Sequence, residues 1–513
     1  MSRAQPSAII IGAGMTGIQL AIKLREQGIT DLVILEKADS VGGTWRENTY
    51  PGVACDVPGH AYTYSFAPNP EWSRMFAPGD EIHRYFITVA QRYGIDQLIR
   101  FNEAATECRY QAGRWTVASS QAQTYEADFL FAATGILHEP VLPDIPGRDR
   151  FAGVAMHSAR WNHQVDLSNK RIGVIGTGSS SAQLTPELIN MAGTEVTVFQ
   201  RTPHWLIRVA DKAYSARDIQ RFRDKPKAIQ RVRNIALAIY EQGTTILTED
   251  SWWARILHRL AAWNARGYLR RTVTDPELRA QLTPDYTFGC KRVVMNDTFY
   301  TAIQQDNAHL VTEGIRQIEA DGIRTEDGHL HPLDAIVYAT GFNPTAYMRS
   351  MPFIGKDGLS IKQAWQHKIQ AYRSLCIPGF PNFFLMLGPN SPIGNYSVIA
   401  MSEQQADYAL QLIDHWRNGA LDTIEARPEA MRTWNTMLRA KMQHTVWASG
   451  CQSWYLDADG DPLTWPDTWK QWLAAMATPE LADFVTPHQS HSAALNTAAT
   501  AGSELMPGAI SSP

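Results

Sequence analysis

Two glycine-rich stretches carry the chemistry that this chain could do. GAGMTG, Gly12 to Gly17, follows the apolar run AIII (Ala8 to Ile11), and GTGSSS, Gly176 to Ser181, follows RIGVI (Arg171 to Ile175). Each predicts a buried strand that turns tightly into a helix. Gly12 and Gly176 permit the turn, and Gly14 and Gly178 let the backbone approach a pyrophosphate. The helix N-termini, with Gly17 in one and Ser179 and Ser180 in the other, supply N–H donors and a positive dipole. Ser181 stands where a last glycine would govern helix–strand packing, and a small serine is tolerated there. One such stretch is weak evidence. Two, each in a strand–turn–helix context, imply two bound nucleotides, most simply a flavin and a nicotinamide.

The residues after each stretch separate the two ligands. DLVILE ends in Glu36, 19 residues beyond Gly17, and a carboxylate at about 20 residues suits a free ribose 2′-hydroxyl. TEVTVFQRT ends in Gln200, Arg201 and Thr202, with no acid. Arg201 offers a planar, permanently charged fork suited to a 2′-phosphate. The first site therefore reads as an FAD site and the second as an NADPH site. By residue type alone, the plainer reading makes Glu36 a solvated strand-end acid and Arg201 a surface cation, and the contrast between the two counts against it.

These residues need elements to position them. The fingerprint, a later hydrophobic strand and Ala-Thr-Gly occur twice in that order, closing in DFLFAATG (Asp128 to Gly135) and DAIVYATG (Asp334 to Gly341). The expected fold is α/β: two Rossmann-like dinucleotide-binding domains, one for FAD and one for NADP, one inserted in the other, with a helical insertion. The FAD-binding domain spans 1–145 and resumes at 343–487. The NADP-binding domain spans 146–205 and 286–342, and its helical insertion is 206–285. The linker HEPVLPDIPG is rich in proline. The charged stretch RDIQRFRDKPKAIQRVR reads as a solvated helix face. MSEQQADYALQLIDHW reads as a helix, and 488–513, rich in small residues without periodicity, as a disordered tail.

The 513 residues allow about three domains. A net charge of −4 gives no electrostatic case for nucleic acid or an anionic membrane. No apolar run reaches 18 residues, so no signal peptide, transit peptide or membrane span is expected. Cys55, Cys108, Cys290, Cys376 and Cys451 form no CxxC pair, and their odd number argues against a disulfide framework. A cytoplasmic location is the default. The sixteen tryptophans suggest aromatic-lined cavities or interfaces, or ordinary core.

FAGVAMHSARWN, Phe151 to Asn162, carries a specific likeness. Phe151, Gly153, His157 and Trp161 match the FxGxxxHxxxW fingerprint, and Asn162 departs from the Pro or Asp that follows it. Further stretches are GGTWRENTYPGVACDVPGHAYTYSF (Gly42 to Phe66), GCKRVVMNDTFY (Gly289 to Tyr300), GPNSPIGNYSVIAMSEQ (Gly388 to Gln404) and SWYLDADG (Ser453 to Gly460). On these motifs the chain resembles the type I Baeyer–Villiger monooxygenases, class B enzymes of the flavin-containing monooxygenase superfamily, over residues 7 to 475.

The resemblance implies an NADPH-consuming, FAD-dependent enzyme. It inserts one oxygen atom of O₂ beside a ketone carbonyl, through a flavin C4a-peroxide, to give an ester or lactone. Acyclic aliphatic or aryl-alkyl ketones are the expected substrates, from CDVPGH and GPNSPIGN. Gly43, Thr44, Trp45 and Tyr62 would lie at the flavin. A glycine pair is otherwise an ordinary loop, Asp56 a turn residue, and Lys291-Arg292 a surface pair. By resemblance Asp56 and Arg292 are catalytic, with Asp56 also at the cofactor, and Lys291 assists Arg201 at the 2′-phosphate. Trp454 touches the nicotinamide ribose or is a buried core residue. His157 follows the linker and suits a hinge or packing role. No metal is needed, because the flavin does the electron chemistry. The expected partners are a small ketone and O₂, with no nucleic acid and no membrane, in a monomer or homodimer.

Three alternatives remain at this point. An amine- or sulfide-oxygenating relative would need no carbonyl-activating arginine, so Arg292 and Trp161 count against it. A flavin disulfide reductase would need a redox-active cysteine pair. A non-catalytic FAD/NADP-binding redox sensor would not need Asp56 and Arg292.

Overall fold

The computed structural model describes residues 5–486 apart from 392–395, 452, 454, 458 and 462. The apolar runs form the centres of two parallel five-stranded sheets. In the first, Ser7–Ile11 lies between Asp31–Leu35 and Phe129–Ala132; Ile99–Arg100 and Phe383–Leu385 are the edges. In the second, Arg171–Ile175 lies between Glu195–Phe199 and Ala335–Tyr338; Ala308–Val311 and Val154–His157 are the edges. Ile9, Ile10, Val174 and Val337 are buried, as strands covered on both faces must be.

The two halves share one local plan. Gly12 donates its N–H to Leu35 O at 2.8 Å, and Gly176 donates to Phe199 O at 3.2 Å. Ala133 and Ala339, the first residues of the two Ala-Thr-Gly runs, donate to Ile11 O and Ile175 O, each at 2.9 Å. This is the doubly built α/β fold read from the sequence. The edge strand Phe383–Leu385 comes from far along the chain, and the helix Val398–Arg417 packs on the helix Met15–Glu26. The first unit is therefore built from two separated stretches of chain. Antiparallel strands Ala105–Gln111, Arg114–Ser119 and Thr124–Ala127 extend it.

Between the strands of the second sheet the chain makes the helices Ala216–Asp224, Pro226–Thr248, Trp252–Thr272 and Pro276–Gln281. Their charge is not all solvated, as RDIQRFRDKPKAIQRVR had suggested. Arg233 is buried and donates from Nη1 to Thr63 O at 2.7 Å, with Glu403 4.0 Å away. A buried guanidinium needs such partners, and here they tie the insertion to the first unit. The tryptophans divide: Trp72, Trp115 and Trp465 are core, whereas Trp252, Trp253 and Trp263 are exposed. Among the described residues, no helix is long and apolar enough to cross a membrane.

Candidate active site

Both glycine turns are sterically closed to larger residues. Gly12 has φ +101° and Gly176 φ +111°. A Cβ on Gly12 would lie 2.7 Å from Ala133 O, and one on Gly176 2.5 Å from Ala339 O. Gly17 sits under the first turn, where a Cβ would meet Gly12 O at 1.9 Å. Gly14 and Gly178 stand at the N-termini of the helices Met15–Glu26 and Ser179–Ile189, so their free N–H groups point out of the turns. A cradle of bare backbone at a helix N-terminus fits a pyrophosphate in both places.

Glu36 follows the second strand of the first sheet and is buried. Its Oε2 accepts from Ala13 N at 2.8 Å, and its Oε1 from Ala38 N at 3.0 Å and Arg46 Nη1 at 3.1 Å. The carboxylate is thus fixed beside the glycine turn. Gly43 presses its Cα towards Gly14, so that a Cβ on Gly43 would stand 3.2 Å from it. Thr44 and Trp45 open a single helical turn, Thr44–Glu47. Trp45 donates from its indole nitrogen to Tyr62 Oη at 3.0 Å, and the two rings meet edge to face. Burial holds the Tyr62 hydroxyl far above the ordinary tyrosine range.

At the second turn, Thr177 Oγ1 donates to Thr202 O at 2.8 Å, which pins the chain after Phe199. Arg201 is exposed. Lys291 lies over the Tyr286 ring at 4.9 Å. Burial, and after it the charge of Arg201, hold Lys291 below the usual lysine range. Residues 90 apart in sequence thus make one cationic corner. Ser179 opens the helix, and Ser180 follows it in the first turn.

The two units meet at Asp56 and Arg292. The loop carrying Tyr50 to Asp56 leans on the helix Ser179–Ile189: Tyr50 Oη donates to Gln183 Oε1 at 2.9 Å, and Gln183 Nε2 to Ala54 O at 3.0 Å. Arg292 then donates from Nη2 to Asp56 Oδ2 at 2.5 Å. The Asp56 charge holds the guanidinium above the ordinary arginine range, against the pull of burial. Both side chains keep some solvent access, 28% and 21% exposed.

Three features of this site were not singled out from the sequence. Tyr240, on the helix Pro226–Thr248, donates its hydroxyl to the Asp56 carbonyl. Tyr455 hydrogen-bonds Arg292. Cys290 and Cys451 form a disulfide across 161 residues, contrary to the expectation from an odd cysteine count. The fold brings Cys290 to Cys451 and Arg292 to Tyr455, which no local spacing could signal. Cys55, Cys108 and Cys376 are buried free thiols, and burial raises their pKa. Trp454 lies outside the described residues, as do 392–395 of GPNSPIGN.

His157 is buried at the end of Val154–His157. Its Nδ1 accepts from Ala159 N at 3.1 Å, and its ring meets Phe342 edge-on. Burial pushes its pKa down to about 4, so the ring is neutral at neutral pH and holds the strand end.

The pyridine nucleotide-disulphide oxidoreductase family profile matches residues 9–251. An uncharacterized monooxygenase of Mycobacterium tuberculosis is 46% identical over 463 residues, covering 90% of this chain and 92% of that one. A Baeyer–Villiger monooxygenase of Streptomyces coelicolor is 38% identical over 483 residues, covering 93% of this chain and 91% of its own length. This chain belongs to the Baeyer–Villiger monooxygenase family. A solved structure of a relative in complex with FAD and NADP superposes with a TM-score of 0.82 at 28% identity, covering 93% of this chain and 98% of that one. Family membership also separates this chain from the disulfide reductases that share its nucleotide-binding plan. The Cys290–Cys451 bridge lies outside the matched 9–251 and has one cysteine two residues from Arg292.

Proposed function

We propose that this Baeyer–Villiger monooxygenase binds FAD at Gly12–Gly17 and NADPH at Gly176–Ser181, and converts a ketone to an ester or lactone. The reaction takes ketone, O₂, NADPH and a proton to ester, NADP⁺ and water. The observation that carries this reading is the Arg292–Asp56 pair where the two units meet. Bound FAD, reduced by NADPH, would supply the electrons and the activation of oxygen.

The chain's own residues do the rest. The glycine turn and the N-terminus of the helix Met15–Glu26 receive the flavin pyrophosphate, and Glu36, held by Ala13 N–H, the ribose hydroxyls. Gly43, Thr44, Trp45 and Tyr62 form the wall beside that turn. Arg201, with Lys291 behind it, takes the 2′-phosphate, and the Thr202 carbonyl fixes the approach. Ser179 and Ser180 offer N–H donors to the nicotinamide dinucleotide, and Trp454 takes its ribose.

Arg292 places a fixed positive charge where the carbonyl oxygen becomes an oxyanion. A donor preorganised in this way stabilises charge at no reorganisation cost during reaction. Asp56 aims the fork and offsets part of the cost of burying it. The enzyme acts in the cytoplasm on a small ketone and O₂, as a monomer or homodimer.

A panel of acyclic aliphatic, aryl-alkyl and cyclic ketones, incubated with NADPH in air and analysed by gas chromatography, tests the reading. At least one ketone should yield the ester or lactone, with one NADPH consumed per product. Absence of any ester across the panel by FAD-loaded enzyme would overturn it. Tyr240→Phe should slow ester formation roughly fivefold, since one neutral hydrogen bond contributes about 1 kcal/mol. FAD content should stay full. An unchanged rate would remove Tyr240 from the support of Asp56.

A further inference from the structure

The helix Trp252–Thr272 has three sectors. Its core side holds Ala254, Ala265, Tyr268 and Leu269, all buried. A second sector carries Trp252, Trp253, Ile256, Leu257, Leu260 and Trp263, all exposed, Trp263 at 68%. At about 100° per residue these six fall within an arc of roughly 140°. A third sector, on the flank of that stripe, carries Arg255, Arg259 and Arg266. The helix has five arginines and no acid. The neighbouring helix Pro226–Thr248 exposes Lys227, Arg231, Ile235 and Ile239 at successive i+4 positions. Residues 206–285 contain fifteen Lys or Arg and nine Asp or Glu, a net +6, in a chain of net −4.

An apolar stripe on a helix that is already packed on its other side has no folding role. Scattered exposed apolar residues need no explanation, but a continuous stripe with three tryptophans marks a contact surface. Tryptophan and leucine beside arginine is the composition of a helix lying in the plane of a membrane interface.

We infer that this helix docks the protein peripherally on an anionic lipid surface. The stripe enters the headgroup region, and the arginine flank meets the lipid phosphates. Arg255 is paired with Asp250 at 2.7 Å, and Arg266 lies over Trp205 at 5.1 Å. Arg259 on the flank is exposed, as are Arg270 and Arg271, which continue the arc of the stripe at the C-terminal end of the helix, and these three carry the attraction. A second copy fits the same face less well. A two-fold contact sets each patch against itself, and so brings two strongly positive insertions together. The whole-chain charge of −4, which argued against an anionic membrane, averages over this local excess.

Flotation of the full FAD-loaded chain with vesicles tests this. One set holds phosphatidylglycerol and phosphatidylcholine in equal parts, the other phosphatidylcholine alone. The protein should float with the first set, at least about tenfold more than with the second at about 0.1 M salt, and less at about 1 M, where screening is nearly complete. The double variant Trp253→Glu/Trp263→Glu and the single Arg259→Glu should each lose most of this binding with an unchanged thermal midpoint. None of these residues touches the nucleotide sites, so ketone turnover in solution is a separate readout. No flotation, or flotation indifferent to these substitutions, overturns the inference. A dimer that the tryptophan variants split, without flotation, assigns the face to a second copy and overturns it too.

Discussion

Arg292→Ala is expected to lower ester formation by about 10²–10³-fold, the usual effect of removing one preorganised donor from a developing oxyanion. The glycine turns lie in other segments, so FAD and NADPH should still bind. Reduction by NADPH should persist, and O₂ consumption should then release hydrogen peroxide in place of ester. Lysine should rescue poorly. It brings a point charge, whereas Asp56 Oδ2 and Tyr455 both engage a planar fork. The variant also leaves Asp56 without its partner. Asp56→Ala in the Arg292→Ala background then separates the lost donor from the stranded carboxylate. If the stranded acid caused the defect, the double variant would recover. Stopped-flow reduction with product analysis in air gives both readouts. Ordinary ketone-to-ester turnover by Arg292→Ala would sink the mechanism.

How far the site was legible follows from the range of the physics at each residue. The glycine turns were plain because their cause is local. A Cβ at Gly12 or Gly17 collides with backbone a few residues away or with the adjoining strand, so glycine, turn and strand appear together in the sequence. The parallel sheets followed from apolar runs of strand length joined by helices. The Asp56–Arg292 pair was legible only through family likeness, since 236 residues separate the partners. Tyr240 gave no signal: it lies on a helix whose charge pattern suggested a solvated face. Arg233, seven residues earlier, misled for the same reason, because a count of charges does not show which one turns inward. The cysteines show the converse. Their number argued against a disulfide framework, yet the fold carries Cys290 to Cys451 and so ties the Arg292 loop to the segment of Tyr455.

The nucleotide preference rests on a different kind of contact and is tested separately. Arg201→Ala should weaken use of NADPH by roughly ten- to a hundredfold in kcat/KM, the loss of about 1.5–3 kcal/mol for a charged hydrogen bond. NADH has no 2′-phosphate, so its use should change little, and the preference between the two should collapse. The geometry makes Lys291 a partial substitute. It shares the corner with Arg201, whose charge helps to hold it below the usual lysine range. Removing Arg201 relieves that repulsion and leaves Lys291 more firmly protonated, so the single variant should retain some preference. The double variant Arg201→Ala/Lys291→Ala should lose the rest. Arg201 itself stands at the second turn and is not part of the Asp56–Arg292 pair, so in the single variant ester formed per nucleotide oxidised should stay near the wild-type value; Lys291 adjoins Arg292, so the double variant is read for nucleotide preference alone. Steady-state kinetics with both nucleotides, at fixed ionic strength because the contact is screened by salt, decides the matter. Equal losses with NADPH and NADH would place the 2′-phosphate elsewhere.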